Sequence, residues 1–249
     1  MSKKSVLQFL DAQSLVDAAR SRFVDVVVAA QAERGVASVV LTGGGTGVAL
    51  LEALRADSGA IDWGQVDVYF GDERFLPAGD SERNEVQASQ ALLDHVGVHP
   101  DRVFRMAASD GPHGSDPEVA AATYAQILGA RSNGEHTPEF DVHLLGMGGE
   151  GHINSLFPHT DAVREQHRYV VAVEDSPKPP PVRITLTLPA VRRAKHVWLL
   201  VSGDAKADAV AAAVGGADSD DVPSAGAVGS ESTVWFLDAG AASKLENSN

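Results

Sequence analysis

The densest group of chemically capable residues in this chain is Gly146-Met147-Gly148-Gly149-Glu150-Gly151-His152. It sets a carboxylate and an imidazole two residues apart in glycine-rich backbone. That is the equipment of general-base catalysis, in which His152 takes a proton from water while Glu150 orients or charges the ring. A lone histidine is usually structural, and eight others are scattered through the chain. The flanking glycines and the apolar run just before them set His152 apart. The stretch Gly146–Gly151 also spells G-x-G-x-x-G, and Glu174 or Asp175 follows at about the spacing of a dinucleotide fingerprint. There the third glycine must open a helix. Here Ile153-Asn154-Ser155-Leu156-Phe157 leaves barely two turns before Pro158, and a histidine takes the space of a pyrophosphate. No nicotinamide cofactor is expected.

Three further segments could bind substrate. Leu41-Thr42-Gly43-Gly44-Gly45-Thr46-Gly47 joins a valine-rich run to a helical one. Glycines let backbone N–H groups approach a phosphate, and a helix N-terminus adds donors and a favourable dipole. A tight turn needs fewer glycines, so anion binding is the favoured reading. Gly71-Asp72-Glu73-Arg74 closes another apolar run, and reads either as a solvated turn with a surface ion pair or as a substrate contact. Arg183 follows a proline stretch, and Lys206 lies in Ser202-Gly203-Asp204-Ala205-Lys206 after a further apolar run. Each is either a solvated charge or a phosphate partner.

These segments must be held by regular elements. Ser38–Leu41, Val66–Phe70, Asp141–Leu145, Arg168–Val173 and His196–Val201 are short, continuous apolar runs, the pattern of parallel strands covered on both faces. Helical spacing places Leu15, Ala19, Phe23, Val26 and Ala30 on one face of a first helix. Further helices are expected over Val48–Leu54, Asn84–Leu93, Pro117–Leu128 and Asp204–Val214, with Asp116 as N-cap ahead of Pro117. Alternating strands and helices predict an α/β fold: a three-layer α/β/α arrangement around a mainly parallel, Rossmann-like sheet. In such sheets ligands sit beyond the carboxyl ends of the strands. The chain has no internal repeat and no shift of composition, so residues 1–249 are expected as a single domain, with 243–249 a frayed tail. Pro177–Pro181 reads as a stiff surface connection and Gly215–Ser232 as a loop.

Composition sets the outer limits. The chain has 249 residues, 44% of them hydrophobic and 22% charged, which supports a sizeable core. With 34 acidic against 20 basic residues the formal charge is −14, so neither nucleic acid nor an anionic membrane is an expected partner. Any phosphate must be gripped by a local cluster of donors. The absence of cysteine excludes disulfides, thiolate metal sites and a cysteine nucleophile. Val6–Leu10 is too short for a signal h-region, and no run of about 18 apolar residues suggests a membrane span.

Taken in order, the glycine loop, Gly71–Arg74 with Asn84 after it, Leu145–Pro158, Arg183-Ile184-Thr185 and Gly203–Lys206 resemble the glucosamine-6-phosphate isomerase/6-phosphogluconolactonase family over about residues 38–210. Gly149-Glu150-Gly151-His152 followed by Ser155-Leu156-Phe157-Pro158, and the arginine after Asp72-Glu73, are similar to its lactonase branch. The resemblance implies a cytoplasmic hydrolase without metal or cofactor, opening 6-phospho-D-glucono-1,5-lactone in the pentose phosphate pathway. It implies His152 as the base, with Glu150 beside it. Gly44, Gly45 and Thr46 with Arg183 and Lys206 would hold the phosphate, and Arg74 would line the lactone pocket, while Asp72, a candidate substrate-binding residue, and Glu73 stay open between substrate contact and loop structure. Three positions depart from the family pattern: Glu150 where Asp is common, Gly45 and Gly47 where Ser and Pro are common, and Asn154 in place of a small residue, to which no role is assigned. The alternatives are an aminosugar-phosphate isomerase/deaminase of the same fold and a non-catalytic sugar-phosphate sensor. A monomer or small homo-oligomer is expected, with nothing in the sequence to choose between them.

Overall fold

The computed structural model describes residues 3–245. In chain order the elements are β1 (Lys3–Phe9), α1 (Ala12–Arg34), β2 (Ala37–Leu41), α2 (Gly45–Ala56), β3 (Val66–Phe70), β4 (Asp72–Arg74), α3 (Asn84–Ala91) and α4 (Pro117–Arg131). Then follow β5 (Val142–Gly146), α5 (Asp161–Arg164), β6 (Val170–Val173), β7 (Arg183–Leu186), α6 (Leu188–Val191), β8 (His196–Val201), α7 (Ala207–Val214) and β9 (Ser232–Asp238). Six strands form one sheet in the order β1-β9-β8-β5-β2-β3, with every neighbouring pair parallel.

The expected three layers follow from alternation along the strands. On β8, Trp198 and Leu200 join one core with α1, α2 and α3, while Val197, Leu199 and Val201 join the other with α4 and α7. All five residues are fully buried, so each side of the strand sees apolar atoms and the sequence reads as an unbroken apolar run. Helix α1 buries Leu15, Ala19, Phe23 and Ala30 as expected, but Val27 rather than Val26 completes the stripe. Its ends are set by Asp11, which accepts from the Ser14 N–H, and by Gly35 in the left-handed region. Asp116 caps α4 through the N–H groups of Glu118 and Val119.

One strand assignment needs correcting. The run at Arg168–Val173 is strand only from Val170, and it lies outside the parallel sheet. It forms an antiparallel second sheet in the order β4-β7-β6, with Arg74 paired to Arg183 and Val173 to Arg183 on the other side. The apolar run reports burial, and it is buried here between this small sheet and α4. Val6–Leu10 falls mainly in β1, which pairs with β9. Of the terminal stretch, residues 246–249 lie outside the described residues, while Leu245 packs against the core. Among the described residues no helix is long and apolar enough to cross a membrane.

Candidate active site

The chain leaves β2 for β3 on one side, then returns past β2 to β5 on the other. The loops after β2 and β5 therefore diverge and leave a crevice at the carboxyl edge, the position where open α/β sheets bind ligands. Thr42 closes its base: its Oγ1 accepts the N–H of Gly146 at 3.1 Å, tying the ends of the two strands. The cleft above is lined by the glycine loop, by Asp72 and Arg74, by Gly146–Gly148 and His152, and by Arg183 and Lys206. All the loops singled out in the sequence thus meet in one place.

At one wall, His152 Nδ1 and Glu150 Oε1 are 2.9 Å apart. With Nδ1–H donating to the carboxylate, the Nε2 lone pair is left to accept a proton. The ring stacks on Phe157 with centroids 4.5 Å apart, so its plane is fixed from a second side. Burial lowers the His152 pKa, against the pull of Glu150, and keeps the imidazole neutral. Burial would raise the Glu150 carboxyl, but the hydrogen bond and the positive charge of Lys178 hold it below the usual carboxylate range. Chain geometry makes room for this pair. A Cβ on Gly148 would lie 2.1 Å from His152 Nδ1 and 2.7 Å from Glu150 Oε2, so only glycine fits. No helix follows Gly151; the backbone turns through an isolated Ile153–Leu156 bridge and first becomes helical again at Asp161. The dinucleotide reading fails for the stated reason.

The cleft also has a cationic lining. Gly44 adopts φ 83° and ψ 162°, a conformation open essentially only to glycine, and starts α2 with its first-turn N–H groups at the cleft. Thr46 Oγ1 reaches Ser202 Oγ at 3.1 Å, linking this loop to the one that carries Lys206. A Cβ at Gly45 would meet open space, so nothing in the packing forbids the serine common at that position. The second sheet sets Arg74 directly beside Arg183. Like charges opposite one another on a sheet cost stability, and a bound anion relieves them. Arg183 is only 5% exposed, and its guanidinium donates to the carbonyls of Lys178, Pro179 and Pro180. Burial disfavours its cation, Asp72 opposes that, and Arg74 adds to it. Burial likewise lowers the Lys206 pKa.

The Gly71–Arg74 loop divides its roles. Asp72 faces the cleft and is fixed by Ser155 Oγ at 2.7 Å and Asn84 Nδ2 at 3.0 Å. Glu73 turns away, accepting the N–H groups of Arg74, Asn84 and Glu85 and lying 3.8 Å from the fully buried Arg83. It is the anchor of α3 rather than a substrate contact. Asn154 has φ 48° and is buried at the cleft, with neither amide atom hydrogen-bonded and the fully buried His143 ring close by. The residue that sequence reasoning missed is Lys178. The proline stretch is exposed, as a surface connection should be, yet Lys178 Nζ donates to Glu150 Oε2 at 2.8 Å. Its one sequence signal is a single cation among four prolines. Among the described residues no group of three or more His, Asp or Glu side chains is arranged to hold a metal ion.

Comparison with known proteins bears on what this cleft handles. A family model for glucosamine-6-phosphate isomerases/6-phosphogluconolactonase matches residues 10–235. A 6-phosphogluconolactonase of Mycobacterium tuberculosis is 58% identical over 242 residues, 97% of this chain and 98% of that protein. One of Streptomyces coelicolor is 54% identical over 243 residues, 96% and 93% of the two chains. The solved structure of 6-phosphogluconolactonase from Trypanosoma cruzi superposes with a TM-score of 0.83 at 27% identity, covering 98% of each chain. With its overall fold and nearly its whole length matched in this way, the chain belongs to the glucosamine-6-phosphate isomerase/6-phosphogluconolactonase family.

Proposed function

We infer that His152 and Glu150 are the general-base pair of a lactone hydrolase, acting within a single domain. The chain hydrolyses 6-phospho-D-glucono-1,5-lactone to 6-phospho-D-gluconate, a step of the oxidative pentose phosphate pathway. The observation that supports the mechanistic reading is the 2.9 Å Nδ1–Oε1 contact at a cleft that Arg74, Arg183 and Lys206 also line. These cations hold a phosphate, and the neutral imidazole serves the water that attacks the reacting carbon.

The steps follow from this layout. Phosphate bound by Gly44, Gly45, Thr46, Arg183 and Lys206 fixes the lactone, so that binding energy remote from the reaction orients it. His152 Nε2 removes a proton from water as its oxygen attacks the carbonyl carbon. The tetrahedral oxyanion collapses and the ring oxygen leaves with the proton from the imidazolium, giving a free hydroxyl and a carboxylic acid, which then loses its remaining proton to solvent and becomes the product carboxylate. Glu150 stabilises the imidazolium between the two transfers. General base and acid catalysis of this kind contributes about 10²–10⁴-fold. Arg74 and Asp72 border the lactone ring.

The substrate assignment is tested by generating the lactone in place and following its loss with and without protein. The unaided hydrolysis must be subtracted. Accelerated loss, with no ammonia released from glucosamine 6-phosphate, is expected. A rate equal to the blank, or ammonia release, would reverse the assignment.

A further inference from the structure

We propose that Lys178 is a positioning residue for the base: its ammonium grips one oxygen of Glu150 while the other oxygen aligns His152. The proposal rests on the reading of His152 as general base.

A glutamate carboxylate ends three rotatable bonds, and one hydrogen bond to an imidazole does not fix its plane. Here both oxygens are engaged, Oε1 by His152 Nδ1 at 2.9 Å and Oε2 by Lys178 Nζ at 2.8 Å. An ion pair between exposed side chains is ordinarily worth little, because two mobile chains must be held together. Lys178 begins from a fixed backbone. Pro177 and Pro179 flank it, its carbonyl accepts from Ser176 Oγ at 3.0 Å and Arg183 Nη2 at 3.2 Å, and its N–H donates to Ser176 Oγ at 3.3 Å. The segment that holds the phosphate-side Arg183 is therefore the same one that delivers the ammonium to the base pair.

The charges around the imidazole are Glu150 on its own loop, Lys178 on the proline segment and Asp72 on β4. Arg183 on β7 stands 5.9 Å over the Phe157 ring that stacks on the histidine. Lys178 is the positive charge that directly disfavours the imidazolium. Removing it should therefore do two things: loosen Glu150, which slows the reaction at every pH, and favour protonated His152, which moves the acidic limb upward. A residue that merely braced the loop would not move the limb.

The test is kcat and KM from pH 5 to 9, corrected for unaided hydrolysis, for wild type, Lys178→Met, Lys178→Arg, Glu150→Gln, the Glu150→Gln/Lys178→Met double variant and His152→Gln. Lys178→Met should lose about three- to tenfold in plateau kcat. Its KM should stay close to wild type, with the acidic limb displaced to higher pH and both effects largely restored in Lys178→Arg. In the Glu150→Gln background the same substitution should cost less, because its partner is gone. A Lys178→Met limb that superimposes on wild type, a loss confined to KM, or an equal loss in the Glu150→Gln background would overturn the proposal. If His152→Gln keeps the wild-type rate, the base assignment itself fails and the proposal falls with it.

Discussion

Gly148 and His152 share a space that only a hydrogen atom can fill: a Cβ on Gly148 would sit 2.1 Å from the imidazole Nδ1. The obstacle is a ring held between Glu150 and Phe157, so relief requires breaking one of the contacts that aligns the base. Gly148→Ala should therefore lower kcat by about 10²-fold, the effect expected of a misplacement near 1 Å. Its melting temperature should fall little, since the loop is at the surface edge of the sheet. Equal kcat in the variant would show that the pair adapts without cost.

The pH dependence has a defined sign. His152 works as the neutral base, and burial lowers its pKa below the ordinary histidine value of about 6.5. Activity should rise with pH, with the midpoint of the rise below that value. A profile of kcat/KM against pH, corrected for unaided hydrolysis, checks it; a flat profile or a limb above the ordinary value contradicts it.

His143 gives a stability prediction separate from catalysis. It is fully buried, and burial pushes its pKa down to about 3. The folded state therefore refuses a proton that the unfolded chain takes up below about pH 6.5. This contribution to stability is complete above that pH and is lost as the pH falls toward the folded value. At pH 5 the loss amounts to about 2 kcal/mol, at roughly 1.4 kcal/mol per pH unit below the unfolded value. Denaturant titrations at pH 7 and pH 5 should show a smaller acid loss in His143→Leu than in wild type; equal losses would refute the assignment.

Lys206 and Glu73 should separate binding from folding. Lys206→Ala should raise KM for the phosphorylated lactone by about tenfold or more, the value of one charge-assisted contact, and weaken inhibition by inorganic phosphate. Glu73→Ala removes the acceptor of three backbone N–H groups and a neighbour of buried Arg83, and should cost about 2–4 kcal/mol in unfolding experiments. An unchanged KM in the first, or unchanged stability in the second, would contradict these roles.

Much of this was legible in residues, and the exceptions have physical causes. Strands β2, β3, β5 and β8 announce themselves because both faces are buried, and the loops that follow them carry the glycines and charges of the cleft. Strand β4 does not, because Asp72-Glu73-Arg74 is three polar residues paired with Arg183–Thr185, over a hundred positions away. Strand β1 reads as polar because it lies at the sheet edge and exposes Lys3, Lys4 and Gln8. Strand β9 carries the same apolar signal as β8, and the periodicity reading passes over it. Lys178 was hidden because its partner lies twenty-eight residues back, on another loop. Local spacing gives Glu150 and His152; only the fold brings the third member.

The central claim is that His152 performs the proton transfers. Lactone loss should be followed for wild type, His152→Ala and a protein-free blank, with circular dichroism showing that the variant is folded. The account predicts a fast wild type and a His152→Ala rate within about tenfold of the blank, the residue of positioning alone. A folded His152→Ala as fast as wild type would leave the reaction standing and contradict the mechanism.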